Sequence, residues 1–207
     1  MSDSLTYNPE IFHVGSLEEA KAVILNPDQI HSTDERWIIE TDWILDLLKR
    51  HMPGDERRAC LDYGCGIGRL AKPLIRQRDW VVIGADISNS MRSLATAYVD
   101  SPHFLSVSHF FLDPIRVDCA LAVWTLQHCK DVKTDIAQIK RSLWPSGRLF
   151  VLNALERFVP THEETWSNDG VDVWEILQNE FRTLQLCDVD QEIIPTPPAK
   201  WGVFARA

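Results

Sequence analysis

The sequence predicts a single α/β domain in which a parallel β-sheet is covered by helices on both faces. Three observations carry this prediction. Short apolar strands alternate with helical segments from residue 59 to residue 152, a pattern typical of parallel strands joined by helical crossovers. The continuous apolar run over 119–124 indicates a central strand buried on both sides. The chain has 207 residues, of which 45% are hydrophobic, so it can bury a full core.

Each element has its own local signal. Strands are predicted over 59–63, 81–86, 104–107, 118–124 and 147–152, and helices over 69–78, 89–99, 132–144 and 171–181. Ser88 is placed to cap the second of these helices, and Pro145 with Gly147 should close the third. Two later β-like segments, 183–190 and 201–205, leave no room for a helix between them. We therefore expect them to pair antiparallel at one edge of the sheet.

The first part of the chain has a different character. Residues 1–31 predict two short helical segments, because prolines and a glycine interrupt them. A longer helix should begin after the capping cluster Ser32-Thr33-Asp34 and end at Pro53-Gly54. We expect a single domain over 1–207, divided into an N-terminal helical cap over 1–56, a core over 57–153, and an insertion with a C-terminal β-hairpin over 154–207.

Composition and charge argue against several classes of protein. The net charge is −9, so duplex nucleic acid is a poor match as a partner. No apolar stretch approaches the roughly 18 residues of a membrane span and no leader pattern opens the chain, which predicts a cytoplasmic protein without a membrane segment. The five cysteines form no C-x-x-C pair and predict neither a disulfide framework nor a metal site. The sequence does not distinguish a monomer from a dimer.

The most informative segment is a glycine turn that follows the first predicted strand. Gly64, Gly66 and Gly68 stand at alternate positions between that strand and a helix, where a missing Cβ lets the backbone approach a ligand closely. Asp86 ends the next strand, eighteen residues after Gly68, and its carboxylate could take a ribose diol. A glycine turn followed by this acid predicts a cofactor that contains a nucleoside.

Two further residues narrow the choice of cofactor. A dinucleotide-binding turn has a later glycine, G-x-G-x-x-G, whereas Arg69 follows Gly68 here. Asp62 lies beneath the turn, where its carboxylate would repel a pyrophosphate but could hold an ammonium group. The ligand is therefore expected to be cationic at one end and to carry a ribose at the other. S-adenosylmethionine fits this description, and its product would be S-adenosylhomocysteine.

Four ordered blocks give the chain a resemblance to a known family. The glycine turn, the segment from Gly84 to Met91, the fourth predicted strand with Leu126-Gln127-His128, and the helix-turn-strand over 139–149 are similar to those of class I S-adenosylmethionine-dependent methyltransferases, in the group that acts on small molecules. The resemblance implies a single methyltransferase domain with a cofactor-binding core over 57–153 and a substrate-side insertion over 154–207. Its fold would be a Rossmann-like three-layer sandwich. Its sheet would be mostly parallel and seven-stranded, with an antiparallel last strand and an N-terminal helical segment outside it.

The resemblance also implies which residues bind the cofactor. The turn would approach the methionine moiety and Asp62 would lie near its amino group, while Asp86 would accept hydrogen bonds from the ribose. Residues at the end of the third strand would border the adenine, in a block that matches the family poorly. The implied cofactor-binding residues are Asp62, Gly64, Cys65, Gly66, Gly68, Asp86, Ile87, Met91, Ser108 and Trp124, and we add Arg36 as a partner for the methionine carboxylate. Met91 and Trp124 could instead be ordinary core residues.

The residues that would bind the methyl acceptor are harder to identify from the sequence. His128 follows the fourth strand and is our candidate general base, although it could instead shape the loop there. The long segment over 153–174 has little regular pattern and is expected to act as a lid. The candidate substrate-binding residues are Trp37, Gln127, Asn153, Arg157 and Trp166.

The resemblance implies in-line methyl transfer to an oxygen or nitrogen of a small molecule. No (Asp/Asn)-Pro-Pro-(Tyr/Phe) block follows the fourth strand, and Cys129 lacks the preceding proline of a cytosine-C5 enzyme. Three alternatives stay open. The chain could be a cofactor-binding module, a transferase of the same fold that moves another group, or an RNA or protein methyltransferase.

Overall fold

A computed structural model describes residues 6–27, 30–52, 58–113, 115–195 and 197–206. Within them the seven strands are β1 Ala59–Tyr63, β2 Val81–Asp86, β3 Phe104–Ser108, β4 Val117–Val123, β5 Leu143–Ala154, β6 Arg182–Asp188 and β7 Ala199–Ala205. The α-helices of the same residues are α1 Leu17–Ile24, α2 Thr33–His51, α3 Ala71–Arg78, α4 Asn89–Val99, α5 Val132–Ser142 and α6 Val173–Glu180.

The strands form one seven-stranded sheet in the order β3-β2-β1-β4-β5-β7-β6. The pairs from β3 across to β5 are parallel, whereas β7 is antiparallel to both β5 and β6. The predicted mixed sheet with an antiparallel last strand is therefore confirmed. The order reverses between β1 and β4, and ligands of such sheets bind beyond the carboxyl ends of the strands at this point.

The central strands separate two apolar cores because successive side chains of a strand point to opposite faces. On β4, Cys119 and Leu121 join the core that contains Leu48 of α2. Ala120 and Ala122 join the opposite core, which contains α5 and α6. This arrangement accounts for the continuous apolar run in β4, because both of its faces are covered.

Several predicted boundaries differ from the structure by a few residues, and Pro145 and Gly147, which were expected to close the third helix, lie within β5. Two of the differences have a clear cause. Helix α5 ends at Ser142 rather than at residue 144, because Leu143 already pairs with Val117 of β4. The ladder between β4 and β5 then shifts register before Arg148 pairs with Cys119. The fourth strand ends one residue earlier than predicted, since Trp124 has a φ of 56° and leaves the strand.

The N-terminal part contains the two short helical segments that were predicted. They are a 3₁₀ turn over Pro9–Phe12 and helix α1. Helix α2 begins as expected, with Ser32 and Glu35 forming a reciprocal capping box. The predicted stop at Pro53-Gly54 lies outside the described residues. Among the residues described, no helix has the length and apolarity to cross a bilayer. The division of the chain at residues 56 and 153 stays a prediction.

Candidate active site

A cavity of about 490 Å³ lies at the carboxyl ends of the central strands. Its walls come from the residues that end β1, β2 and β4, from the segment after β3, from the first turn of α5, and from the N-terminal segment. The lining residues used below are Tyr7, Phe12, Ile24, Tyr63, Gly64, Gly66, Asp86, Ile87, Met91, His109, Phe110, Trp124, Thr125, His128, Lys130, Asp131 and Asp135. The cavity thus occupies the crevice that the strand order predicts.

The glycine turn requires glycine for two reasons. Gly64, Gly66 and Gly68 have φ values of 75°, 51° and 81°, which favour a residue without Cβ. A Cβ at Gly64 would also lie 2.2 Å from the Thr125 side chain, and one at Gly66 would lie 2.7 Å from Cδ1 of Ile24. The turn is therefore packed closely by protein side chains, while Gly64 and Gly66 still line the cavity.

Asp86 lies in the cavity wall at the end of β2, and two backbone hydrogen bonds hold its side chain there. Its Oδ2 accepts from the Gly66 amide at 2.9 Å and its Oδ1 from the Ser88 amide at 2.8 Å. Burial raises the pKa of this carboxyl, and the hydrogen bonds from the Ser88 and Gly66 amides oppose that shift. Each carboxylate oxygen has a second lone pair, so the side chain can still accept hydrogen bonds from a ligand.

Asp62 is buried beneath the turn and does not belong to the cavity wall. Burial raises the pKa of its carboxyl to about 7, against the opposing effect of the Arg69 guanidinium and with a further increase from Asp86. A cation placed beside a buried carboxyl of this kind would stabilise its ionised form.

A buried ion cluster connects α2 to the end of β4. Glu40 is fully buried, and its Oε1 accepts from Nε of Arg36 at 2.9 Å and from Nη2 at 2.5 Å. Its Oε2 lies 3.7 Å from Nη1 of Arg69 and accepts from the Trp124 indole N–H at 3.2 Å. Arg36 also donates to the Asn26 carbonyl at 2.5 Å. Arg36, which was predicted to pair with the methionine carboxylate, therefore lies in this cluster and is not among the residues of the cavity wall.

His128 has hydrogen bonds at both ring nitrogens. Nδ1 lies 2.6 Å from the Phe158 carbonyl, which can only accept, so Nδ1 carries the proton. Nε2 then accepts from the side-chain amide of Gln127 at 3.1 Å, and the Oε1 of that amide accepts from the Ala154 N–H at 2.8 Å. These hydrogen bonds fix His128 as a neutral imidazole, and its unprotonated nitrogen, Nε2, already accepts a hydrogen bond from Gln127. His128 as a general base stays a prediction, and the arrangement favours a role in shaping the cavity wall.

The pH dependence of His128 is a direct consequence of its burial. Burial lowers the pKa of its imidazole to about 4, against an ordinary value near 6.5. The unfolded chain therefore binds the extra proton between these values, and the contribution of His128 to the free energy of unfolding is full above pH 6.5. That contribution is lost as the pH falls towards 4, by about 2 to 3 kcal/mol.

A ¹⁵N NMR titration tests this expectation. We expect the imidazole signal that disappears in His128→Gln to report an Nδ1–H tautomer and to change little between pH 7.5 and 5.5. A midpoint near 6.5 for that signal would contradict the buried, neutral histidine.

Two predicted substrate-binding residues, Asn153 and Arg157, hold the loop over 126–129 by hydrogen bonds, and a third, Gln127, lies within that loop. Asn153 accepts from the Gln127 N–H at 3.0 Å through its side-chain oxygen. Arg157 is 1% exposed. It donates to the Leu126 and Cys129 carbonyls at 3.0 and 2.7 Å, and it is paired with Asp169 at 2.8 Å. The side chains of Gln127, Asn153 and Arg157 are thus engaged with the protein, and they are not among the lining residues.

The other predicted residues fall into two groups. Those on the cavity wall are Gly64, Gly66, Asp86, Ile87, Met91, Trp124 and His128. Outside the wall are Asp62, Cys65, Gly68, Ser108, Arg36, Trp37 and Trp166. The Trp166 ring packs against the His128 ring, with the two ring centroids 4.8 Å apart. Trp37 packs against Arg69, with 5.7 Å between the indole centroid and the guanidinium carbon.

The structure adds residues that the sequence did not single out. At the end of β3, the segment over 107–109 that was expected to border the adenine reaches the cavity through His109, and Phe110 beyond it also lines the cavity, whereas Ser108 does not. Tyr63 donates its phenol to Asp135 across the cavity wall. Tyr7 and Phe12 come from the N-terminal segment, which is held in place by backbone hydrogen bonds between Asn8 and Pro160 at 2.9 Å and between His162 and Thr6 at 3.0 Å. Tyr63 precedes the glycine turn and could have been found, whereas no pattern marked the N-terminal residues.

Comparisons with known proteins agree with this site. A family model described as a methyltransferase domain matches residues 61–151, which hold the glycine turn, Asp86 and Trp124. The chain is similar to the O-methyltransferase resE of Aspergillus sclerotiorum, with 24% identity over 79% of this chain and 70% of that protein. It is also similar to the tRNA U34 carboxymethyltransferase of Pseudoalteromonas atlantica, with 26% identity over 67% of this chain and 45% of that protein.

A solved structure shows the same fold. The N-methyltransferase NodS of Bradyrhizobium japonicum, in complex with S-adenosylhomocysteine, superposes with a TM-score of 0.61 and 15% identity, covering 80% of this chain and 85% of that one. The chain therefore spans most of that structure and of one relative, and less than half of the other relative. In its matched segment over 61–151, its strand order and its cavity, the chain is similar to the class I, Rossmann-like S-adenosylmethionine-dependent methyltransferases.

Proposed function

We propose that this chain transfers a methyl group from S-adenosylmethionine to an oxygen or nitrogen atom of a small molecule by in-line displacement. The observation that carries the proposal is the cavity, which continues from the glycine turn and Asp86 to walls made by Tyr7 and Phe12. Its volume of about 490 Å³ falls within the range of roughly 300 to 1,000 Å³ for small-molecule sites.

The lining residues fit the donor in the order in which they lie along the sheet edge. Asp86 ends β2 and offers a carboxylate for ribose hydroxyls, while His109 and Phe110 beyond β3 offer flat surfaces for an adenine. Gly64 and Gly66 follow β1, and Trp124 follows β4. A ligand with its nucleoside at β3 and β2 would therefore extend its methionine part towards β1 and β4.

When bound, S-adenosylmethionine supplies an activated methyl group, so the protein has mainly to orient an acceptor. Phe12, His128 and Trp124 form the part of the wall beyond the turn. Because His128 is neutral and both its nitrogens are engaged, this wall positions an acceptor and excludes water, and it offers little capacity to take a proton.

The charges at the cavity favour a small molecule over RNA. Three lining carboxylates, Asp86, Asp131 and Asp135, face one lysine, Lys130, among the described residues of the wall. The chain also carries a net charge of −9. An RNA-binding cleft usually has the opposite sign. The similarity to a tRNA carboxymethyltransferase keeps methyl transfer to tRNA as the second candidate.

An isotope partition experiment tests the proposal. The protein is incubated with S-adenosylmethionine labelled in its methyl group, with either a mixture of hydroxylated and amine-bearing metabolites or total tRNA. We expect label in small molecules together with S-adenosylhomocysteine. Label that enters tRNA alone would replace the proposal with the second candidate, and cofactor binding without transfer to either pool would favour a binding module.

Asp62 makes the proposed binding of the donor dependent on pH. If its carboxylate holds the amino group of the cofactor, it must be ionised, and its pKa is raised to about 7. Affinity for S-adenosylhomocysteine is then expected to rise about tenfold from pH 6 to pH 8 and to level off above that. Calorimetric titration across this range measures the effect, and Asp62→Asn should remove most of the dependence. An affinity independent of pH in the unmodified protein would rule out this contact.

A further inference from the structure

Arginines gather at the end of the sheet that lies opposite the cavity. The parallel strands β1 and β4 begin at this edge, and the register places the start of β6 and the end of β7 beside them. Five neighbouring strands each have an arginine here. In sheet order they are Arg58 before β1, Arg116 before β4, Arg148 within β5, Arg206 after β7 and Arg182 at the start of β6. Since neighbouring strands lie about 4.8 Å apart, these arginines form a row of roughly 19 Å.

Two helices add basic residues to the same end. A helix that connects parallel strands runs back to the edge where the next strand begins, so α3 and α5 end here. The last turn of α3 contains Arg76 and Arg78, and that of α5 contains Lys140 and Arg141. The two helices pack in opposite cores, so basic residues lie on both sides of the row of strand ends. We call the five arginines of the strand ends, together with these four residues, the basic end.

Carboxylates are fewer at these strand and helix ends, and some of them are already engaged. Among the described residues they are Asp79, Asp100, Asp118 and Glu180. Asp118 accepts the Ala59 N–H at 2.9 Å, and Glu180 is paired with Lys140 at 3.1 Å. The basic residues that are exposed to solvent include Arg76, Arg116, Arg141 and Arg182. The basic end is therefore positively charged, although the whole chain is acidic.

A turn at the centre of the basic end exposes an aromatic side chain. The ladder between β4 and β5 shifts register here, and residues 144–147 lie between its two paired parts. Trp144, Pro145 and Ser146 are all exposed, with 51% of Trp144 accessible to solvent. Tryptophan is enriched where proteins meet the headgroup region of a bilayer, because its ring is apolar and its N–H is polar. The turn thus presents an amphipathic ring beside Arg141, in the middle of the row of arginines.

The distance between the two ends of the sheet decides which kind of anion fits the basic end. The chain has a net charge of −9, so the rest of its surface repels anions. Strands of five to seven residues hold the two ends about 17 to 23 Å apart, whereas charges at physiological salt are screened over about 8 Å. A flat anionic surface that touches the basic end is therefore screened from the acidic remainder. A nucleic acid longer than the row would extend over acidic surface and be repelled.

We infer that the basic end is a docking surface for an anionic lipid bilayer, with its arginines on lipid phosphates and Trp144 at the level of the headgroups. A guanidinium group matches the geometry of a phosphate, and clusters of about four to eight basic residues are typical of proteins that bind anionic lipids. Docking of this kind needs no helix that crosses the bilayer, and it leaves the cavity facing away from the lipid. The inference does not rest on the proposed function, because no residue of the basic end lines the cavity.

Co-sedimentation with lipid vesicles tests the inference. The full chain, without cofactor, is mixed with vesicles of phosphatidylcholine alone or of phosphatidylcholine with phosphatidylserine, at about 0.1 M and about 0.5 M NaCl. We expect binding only to the vesicles that contain phosphatidylserine, and loss of most of it at the higher salt concentration. The double variant Arg141→Gln/Arg182→Gln should bind about thirtyfold more weakly, since each basic residue near an anionic membrane contributes roughly fivefold. Trp144→Ser should weaken binding severalfold.

The matched control is Lys130→Gln/Lys133→Gln, which removes the same two charges from exposed positions at the start of α5, at the other end of the sheet. It should bind the vesicles within about twofold of the unmodified chain.

Three results would overturn the inference. They are no binding of the folded protein to phosphatidylserine vesicles at the lower salt concentration, equal binding to neutral vesicles, and equal weakening by the two double variants. Fluorescence polarisation with a single-stranded RNA of about 20 nucleotides separates the other anionic partner. Binding to this RNA without binding to vesicles would make the basic end a nucleic-acid surface and also overturn the inference. Should the arginine variant not fold, Trp144→Ser decides alone, and unchanged vesicle binding by it contradicts the docking surface.

Discussion

Replacing Asp86 by asparagine is expected to weaken the binding of S-adenosylhomocysteine about a hundredfold. The carboxylate accepts a backbone N–H at each oxygen, from Gly66 and from Ser88, and an amide can accept at one side only. Charge-assisted hydrogen bonds to the two ribose hydroxyls, each worth about 1.5 to 3 kcal/mol, would be weakened at the same time. Isothermal titration calorimetry measures the loss directly.

The matched control is Asp188→Asn, the same chemical change on β6, where the side chain is 83% exposed. It should leave the affinity for S-adenosylhomocysteine unchanged, and both variants should be checked for folding by thermal unfolding. An Asp86→Asn protein that folds and binds within threefold of the unmodified chain would exclude Asp86 from the cofactor site.

Replacing Glu40 by glutamine is expected to lower the free energy of unfolding by about 3 kcal/mol. Glu40 is fully buried and compensates two buried cations, with Arg36 at 2.5 Å and Arg69 at 3.7 Å. Removing the carboxylate charge takes away the anion that pairs with both of these buried guanidinium groups, and breaking a buried pair by removing one partner typically costs about 3 to 5 kcal/mol. Glutamine keeps the shape and an oxygen for the Trp124 indole, so the loss reports the charge.

Glu180→Gln is the control for this measurement. Glu180 also forms an ion pair, with Lys140 at 3.1 Å, but its side chain is 45% exposed. Surface pairs of this kind are worth about 0 to 1 kcal/mol, so the control should hardly move the midpoint of urea unfolding. Equal effects of the two variants would show that the Glu40 cluster contributes no more than a surface pair.

The sequence predicted the fold well because the relevant signals are local. The apolar alternation, the cap at Ser32 and the glycine turn each depend on residues close together in the chain, and the structure confirms the sheet that they indicate. The exceptions are boundaries fixed by distant partners. Helix α5 ends early because Leu143 pairs with Val117, a contact that no local pattern reveals.

The candidate site was predictable on one side only. Gly64, Gly66 and Asp86 follow strand ends in a known order, and they line the cavity as placed by the sheet. Arg36 and Arg157 were chosen as isolated cations on segments near the site. The Arg36–Glu40 pair has i,i+4 spacing on a predicted helix and could have been found from sequence, whereas Asp169 lies in an irregular segment and could not be assigned to Arg157. Both partners direct the guanidinium groups into the protein interior.

The part of the cavity wall where we propose that the acceptor binds, formed by Tyr7, Phe12 and His128, was harder to predict for the same reason. Tyr7 and Phe12 reach the cavity because the N-terminal segment pairs with residues 160–162, a contact across most of the chain. The histidine at the end of β4 was noticed, but the tautomer fixed by Gln127 and Phe158 depends on side-chain hydrogen bonds. These are tertiary properties, and a single sequence does not encode them in a recognisable pattern.

A crystal structure of the full chain with S-adenosylhomocysteine tests the central claim most directly. The predicted result is one ligand in the cavity, with its ribose hydroxyls within hydrogen-bonding distance of the Asp86 carboxylate, its adenine against His109 and Phe110, and its sulfur beside the Trp124 ring. A ligand bound elsewhere, or a ribose that does not contact Asp86, would contradict the site described for this chain.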